Sequence, residues 1–179
     1  MPTELNSYLV ITALGPDQVN MVNQLTHSIT NYGGNILNTR MTTLGNEFGI
    51  MLLVEGSWNA VAKIEASLPG IEQRLGITTN VRRTTPKQKQ KKTMPYLVHA
   101  VTNDREGILN DLAQFFAQQD IKIEDVRAHT YMAQTGTRMS SMSININIAV
   151  NTHLPTLREK FMSYCDELNL DAGLEPLHD

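Results

Sequence analysis

The first forty residues of this chain recur, in ungapped register, eighty-seven positions later. Val10-Ile11-Thr12-Ala13-Leu14 aligns with Leu97-Val98-His99-Ala100-Val101, and Asp17 aligns with Asp104. Met21-Val22 falls on Ile108-Leu109, Leu25 on Leu112, Ile36 on Ile123 and Arg40 on Arg127. Apolar positions, one acid and one arginine keep a single spacing, the mark of a duplicated folding unit. The 179 residues thus divide into two units of about 80 residues, small but large enough for separate cores. Two copies of a small unit suggest a paired, symmetric device more readily than an active site.

Each copy reads strand, helix, strand, strand, helix, strand. In the first, Tyr8 to Leu14 is an apolar strand ended by Gly15-Pro16. A helix follows with Asp17 as its N-cap and Val19, Val22, Leu25 and Ile29 on one face, and Gly33-Gly34 ends it. Strands over 35–43 and 47–55 flank the turn Leu44-Gly45-Asn46. Ser57 caps a second helix whose Trp58, Val61, Ile64 and Leu68 share a face, with Trp58 as a core anchor. Pro69-Gly70 is expected to stop that helix, and Leu75 to Arg83 to form the last strand. In the second copy Met142, Ile144, Ile146, Ile148 and Val150 alternate with smaller or polar residues, the period of a strand with one buried face. Leu154, Leu157, Phe161, Cys165 and Leu168 form a helical stripe, and the hairpin tip, Ala133 to Arg138, is longer than in the first copy.

A βαββαβ order implies an α+β fold, a four-stranded antiparallel sheet with both helices on one face, in the ferredoxin-like arrangement. The other face stays open, to be buried in part against the second copy or a partner; a homodimer is one such arrangement. The expected domains are 1–84 and 96–179. The linker, 85–95, lacks apolar periodicity and reads as flexible and charged.

Charge excludes some functions. Residues 1–84 carry five basic and six acidic side chains, 85–95 four lysines and no acid, and 96–179 six basic and twelve acidic. Two acidic units repel a phosphate backbone, so direct nucleic-acid binding would rest on the linker alone. No apolar run approaches the roughly 20 residues of a membrane span. The N-terminus shows no basic region followed by an apolar stretch, and Cys165, the single cysteine, cannot form an internal disulfide; both fit the cytoplasm.

Asn103-Asp104-Arg105-Glu106-Gly107-Ile108-Leu109 resembles the signature loop of ACT domains, small amino-acid-sensing modules of this same βαββαβ order. Gly15-Pro16-Asp17-Gln18-Val19-Asn20-Met21-Val22 is a weaker version, so the resemblance covers nearly the whole chain as two tandem ACT units. Tyr8 to Gly15, Gly56-Ser57-Trp58-Asn59-Ala60 and Arg83-Thr84-Thr85 are similar to the family of glycine cleavage system transcriptional repressors. That family pairs ACT domains with no enzyme and no DNA-binding domain attached. The resemblance implies a non-enzymatic regulator with glycine as effector and a transcriptional activator protein as partner. A detached ACT regulatory subunit of an amino-acid metabolic enzyme is the alternative.

The loop chemistry stands without the family. A helix N-terminus offers unsatisfied N–H groups and a positive dipole end, which suit an amino acid's carboxylate. The candidate ligand-binding residues are Asp17, Asn20, Met21 and Val22 in the first loop, and Asn103, Asp104, Gly107, Ile108 and Leu109 in the second. Gly107 allows close backbone approach. Asp104 either caps its helix or accepts a ligand's ammonium group, and can do both only if one carboxylate oxygen stays free. Asn20 stands where Gly107 does; it tolerates left-handed dihedrals, but its side chain either occupies the ligand's space or contacts the ligand.

Other chemistry is thin. His27, His99, His129, His153 and His178 show no ligand spacing, and no nucleophile elbow, P-loop or dinucleotide fingerprint occurs, so no cofactor, metal or catalytic group is expected. His99 reads as a core-edge residue. Arg40 and Arg127 are either surface or interdomain pairing residues or effector contacts. Lys87, Lys89, Lys91 and Lys92 are either a solubilising hinge or a docking segment. An RNA-binding ferredoxin-like module would carry interleaved aromatics and basic residues where Ser143-Ile144-Asn145-Ile146-Asn147 stands.

Overall fold

The computed structural model describes residues 6–86 and 92–177. Contacts divide the chain into two compact units, Met1–Gln88 and Lys89–Asp179. The first contains β1 (Ser7–Pro16), α1 (Met21–Asn31), β2 (Asn35–Leu44), β3 (Glu47–Gly56), α2 (Trp58–Leu75) and β4 (Thr78–Thr84). The second contains β5 (Thr93–Asn103), α3 (Ile108–Gln118), β6 (Lys122–Met132), β7 (Arg138–Ala149), α4 (Leu154–Glu167) and β8 (Asp171–Pro176). Each forms a four-stranded antiparallel sheet, ordered β2-β3-β1-β4 and β6-β7-β5-β8. These are two tandem ferredoxin-like units, as the repeat implies.

Alternation decides which face is covered. Leu9, Ile11 and Ala13 of β1 and Phe48, Ile50, Leu52 and Val54 of β3 share one core with Met21, Leu25 and Ile29 of α1 and Val61, Ile64 and Leu68 of α2. Both helices therefore lie on the same side of the sheet. In the second unit Met142, Ile144, Ile146 and Ile148 of β7 meet Phe115 and Phe116 of α3 and Phe161 of α4. That core is aromatic: Phe116 stacks on Phe161 with centroids 5.6 Å apart, and Phe115 on Tyr164 at 5.1 Å.

The duplication extends to backbone irregularities. A register shift at Ile36/Asn38 on β2 recurs at Ile123/Asp125 on β6. The positive φ of Gly33 after α1 recurs at Asp120 after α3.

Several expectations are corrected. Pro69-Gly70 does not stop α2, which runs on to Leu75 with Pro69 inside it. An interior proline costs about 3 kcal/mol, but burial of Ile71 and Leu75 beyond it contributes roughly 1.5–3 kcal/mol each. The helix ends instead at Gly76 in the left-handed region, so Leu75 is helical and β4 starts at Thr78. Ser57 does cap the helix, accepting the Ala60 N–H at 3.2 Å. Trp58 is no core anchor: it is 63% exposed, because the buried stripe begins at Ala60, and its ring lies 5.8 Å from the Arg83 guanidinium carbon. Val150 lies beyond the end of β7 and is exposed. His99 points away from the core and is exposed. Thr93-Met94-Pro95 pair with Ala149-Ile148-Asn147 and belong to β5. Lys87, Lys89 and Lys91 lie outside the described residues.

Candidate functional site

Both candidate loops join the first strand of a unit to its first helix, and they are built alike. The Asp17 N–H donates to the Asn46 carbonyl at 3.1 Å, and the Asp104 N–H to the Arg138 carbonyl at 2.9 Å. These bonds tie each loop to the tip of its own hairpin. The chain then turns through a residue in the left-handed region, Asn20 at φ 69° or Gly107 at φ 84°, before helix begins. The Asn20 carbonyl accepts the Gln24 N–H and the Gly107 carbonyl the Asp111 N–H, each at 2.9 Å. The equivalence of Asn20 and Gly107 is thus conformational.

This geometry corrects both capping assignments. Neither Asp17 nor Asp104 caps a helix; the N-cap positions are Asn20 and Gly107, and neither helix has a side-chain cap bond. The extra turn carries the aspartates away from the helix start. Val19 is likewise outside α1 and 90% exposed, while Met21 and Ile108 are buried as the first helical residues. Val22 is half-buried; Asn103, Asp104 and Leu109 are exposed.

The two loops differ in charge. Around the second, Arg138 Nε lies 2.8 Å from Asp104 Oδ2, and an Arg105 guanidinium nitrogen 2.9 Å from Asp111 Oδ2. The eighty-seven spacing places Gln18 and Gln24 where Arg105 and Asp111 stand, and the hairpin bond places Asn46 where Arg138 stands. A Cβ built on Gly107 would meet nothing within 4 Å, so the space over the α3 N-terminus is open. The first N–H groups of a helix have no intrahelical acceptor. Gly107 leaves open space beside them, and the Asp104 carboxylate at the start of the same loop is paired with Arg138. Such a pairing of donors and an acid suits a zwitterion. Arg105, Asp111 and Arg138 were missed in the sequence, although the repeat register could have flagged the first two as charged departures from Gln18 and Gln24.

Cys165 is fully buried, and burial pushes its thiol up to about 11, so it stays protonated at neutral pH. Among the described residues no three His, Cys, Asp or Glu side chains gather as a metal site; His178 lies outside them. Arg127 Nε lies 3.5 Å from Asp125 Oδ2 on the exposed β6 strand. No helix is long and apolar enough to cross a membrane among the described residues.

Known proteins resemble this architecture. Residues 7–82 match the model of the ACT domain family. A glycine cleavage system transcriptional repressor from Escherichia coli (strain K12) is 28% identical over 173 residues, spanning 93% of this chain and 88% of that one. A crystal structure provisionally described as a glycine cleavage system transcriptional repressor superposes with a TM-score of 0.76 at 27% identity, covering 98% of this chain and 99% of its own. A protein from Galdieria sulphuraria shares the fold, with a TM-score of 0.82 at 20% identity over 97% of this chain and 100% of its own. The first unit matches the ACT domain family, and the chain as a whole, across both units, resembles the glycine cleavage system transcriptional repressor.

Proposed function

We propose that this protein is a non-enzymatic, cytoplasmic regulator that represses glycine cleavage genes by holding a transcriptional activator in an inhibited complex, with glycine as effector. The observation that carries the reading is the length of the match: likeness to a repressor spans 93% of this chain and 88% of the relative, so it takes in both units. The likeness itself supports a regulatory role. The second loop, Asn103 to Leu109, is the better-formed amino-acid site, with the ligand carboxylate on the first N–H groups of α3 and its ammonium on Asp104. In the first loop Asn20 stands at the corresponding position, in the same left-handed conformation.

Binding to DNA is left to the partner. The two units are net acidic, and four linker lysines neutralise only a few phosphates. The pure protein should give no gel shift on the promoter at moderate salt; a sequence-specific shift would refute repression by contact. Co-purification from native lysate should recover a transcription factor. Recovery of an amino-acid metabolic enzyme in its place would make the chain a detached regulatory subunit.

A further inference from the structure

The two units differ where their helices meet. In the second, Tyr164 of α4 stacks on Phe115 of α3 with centroids 5.1 Å apart and planes at 28°, and its hydroxyl donates to the Asp111 carbonyl at 3.0 Å. The eighty-seven spacing puts Ser28 where Phe115 stands. Counting back from the starts of β4 at Thr78 and β8 at Asp171 puts Ile71 where Tyr164 stands and Arg74 where Glu167 stands. The aromatic seal is therefore absent from the first unit, and a groove of about 710 Å³ opens between α1 and α2. That volume lies within the roughly 300–1,000 Å³ of small-molecule sites.

The lining mixes polar and apolar side chains, and Arg74 is its one permanently charged residue. Gln24, Ser28 and Asn31 come from α1, and Ser67, Gly70 and Arg74 from α2. A Cβ on Gly70 would meet nothing within 4 Å. Arg74 donates to Ser28 Oγ at 3.0 Å and has no carboxylate partner among the described residues. A guanidinium offers five N–H donors in a fork that matches a carboxylate, so most of its capacity remains. One cation suits one negative charge; the negative end of α1, brought by Asn31 and Tyr32, opposes any anion and a dianion most. The hollow on α4 of the second unit is instead lined by Glu159, Glu167 and Lys160, a set that repels anions.

We propose that the α1–α2 groove of the first unit is a small-ligand site distinct from the two loops, taking a monocarboxylate with its charge on Arg74 and its polar substituent among Ser28, Asn31 and Ser67. It is tested on the full chain by amide chemical shifts during titration with lactate, glycine and inorganic phosphate. Lactate or glycine should produce saturable shifts at Ser28, Asn31, Ser67 and Gly70. Arg74→Gln, at an exposed position, should weaken this binding at least about tenfold, the loss expected with a charge-assisted pair. The double variant Ser28→Phe, Ile71→Tyr, which copies the stack of the second unit, should abolish it. Shifts at residues 17–22 or 103–109 that survive Arg74→Gln would belong to the loops, so the two sites fail or succeed separately. The inference is overturned if neither carboxylate saturates the groove amides at tens of millimolar, if Arg74→Gln leaves their affinity unchanged, or if phosphate binds there more tightly.

Discussion

Gly107 can be replaced without any steric clash, which makes it a clean probe of backbone conformation. Its φ is 84°, and an added Cβ would meet nothing within 4 Å, so the cost of a side chain is conformational alone. An L-residue in the left-handed region costs roughly 1–2 kcal/mol, and a β-branched one is a stronger outlier. Gly107→Ala should therefore destabilise by about 1–2 kcal/mol and Gly107→Val by more. Asparagine tolerates this region, and Asn20 adopts φ 69° at the equivalent position of the first unit, so Gly107→Asn should cost least. With a urea m-value of about 1–3 kcal/mol/M, the alanine variant should lower the midpoint of its unfolding transition by about 0.3–2 M. Circular dichroism during urea titration reads this directly. Equal midpoints for glycine, asparagine and valine would show that the left-handed turn is not required. Ligand binding then separates strain from obstruction: Gly107→Asn keeps the backbone but fills the open space, and should still weaken glycine binding.

Four further outcomes are expected. Glu72 accepts the Thr79 N–H at 2.6 Å and the Thr79 hydroxyl at 2.8 Å, and these bonds hold its carboxyl below the ordinary value. Its stabilising contribution is thus complete above the unfolded-state pKa and lost as pH falls through the lower folded one, so Glu72→Gln should flatten the acid limb of urea midpoints against pH; an unchanged limb would contradict this. Cys165, buried with a raised thiol pKa, should react with a disulfide reagent far more slowly in native buffer than in denaturant, and equal rates would refute its burial. Phe116→Ala, at a fully buried ring, should cost about 3–5 kcal/mol in chemical denaturation. Trp58→Ala should cost far less, because that ring is 63% exposed; a loss comparable to Phe116→Ala would restore Trp58 to the core.

The repeat and the period-2 pattern of β7 made the fold legible, because burial of one sheet face leaves its trace at every second residue. Met142 to Ile148 were placed on the correct face from spacing alone. What failed was decided outside the local window. An aspartate ahead of an apolar run looks like a cap, but the hairpin tip holds Asp17 and Asp104 by their N–H groups, and an added left-handed residue moves the helix start. Pro69 looks like a terminator until the burial of Ile71 and Leu75 is counted. The loops themselves were visible as a motif, whereas Arg138, thirty-four residues from Asp104, became their neighbour only through pairing of β5 with β7. The α1–α2 groove left no local signal; it emerges from comparing Ser28 and Ile71 with Phe115 and Tyr164.

The account's central claim is that a small amino acid and a protein partner read the same molecule through linked equilibria. A ligand shifts an arrangement only through differential affinity, and linkage makes the effect reciprocal. The most direct measurement is the affinity of this chain for the transcriptional activator, determined with and without saturating glycine. The account predicts a change of about 5- to 150-fold, equivalent to roughly 1–3 kcal/mol of coupling, and the same factor when glycine affinity is measured with and without the activator. An activator affinity unchanged by glycine, with glycine binding itself demonstrated, would contradict it.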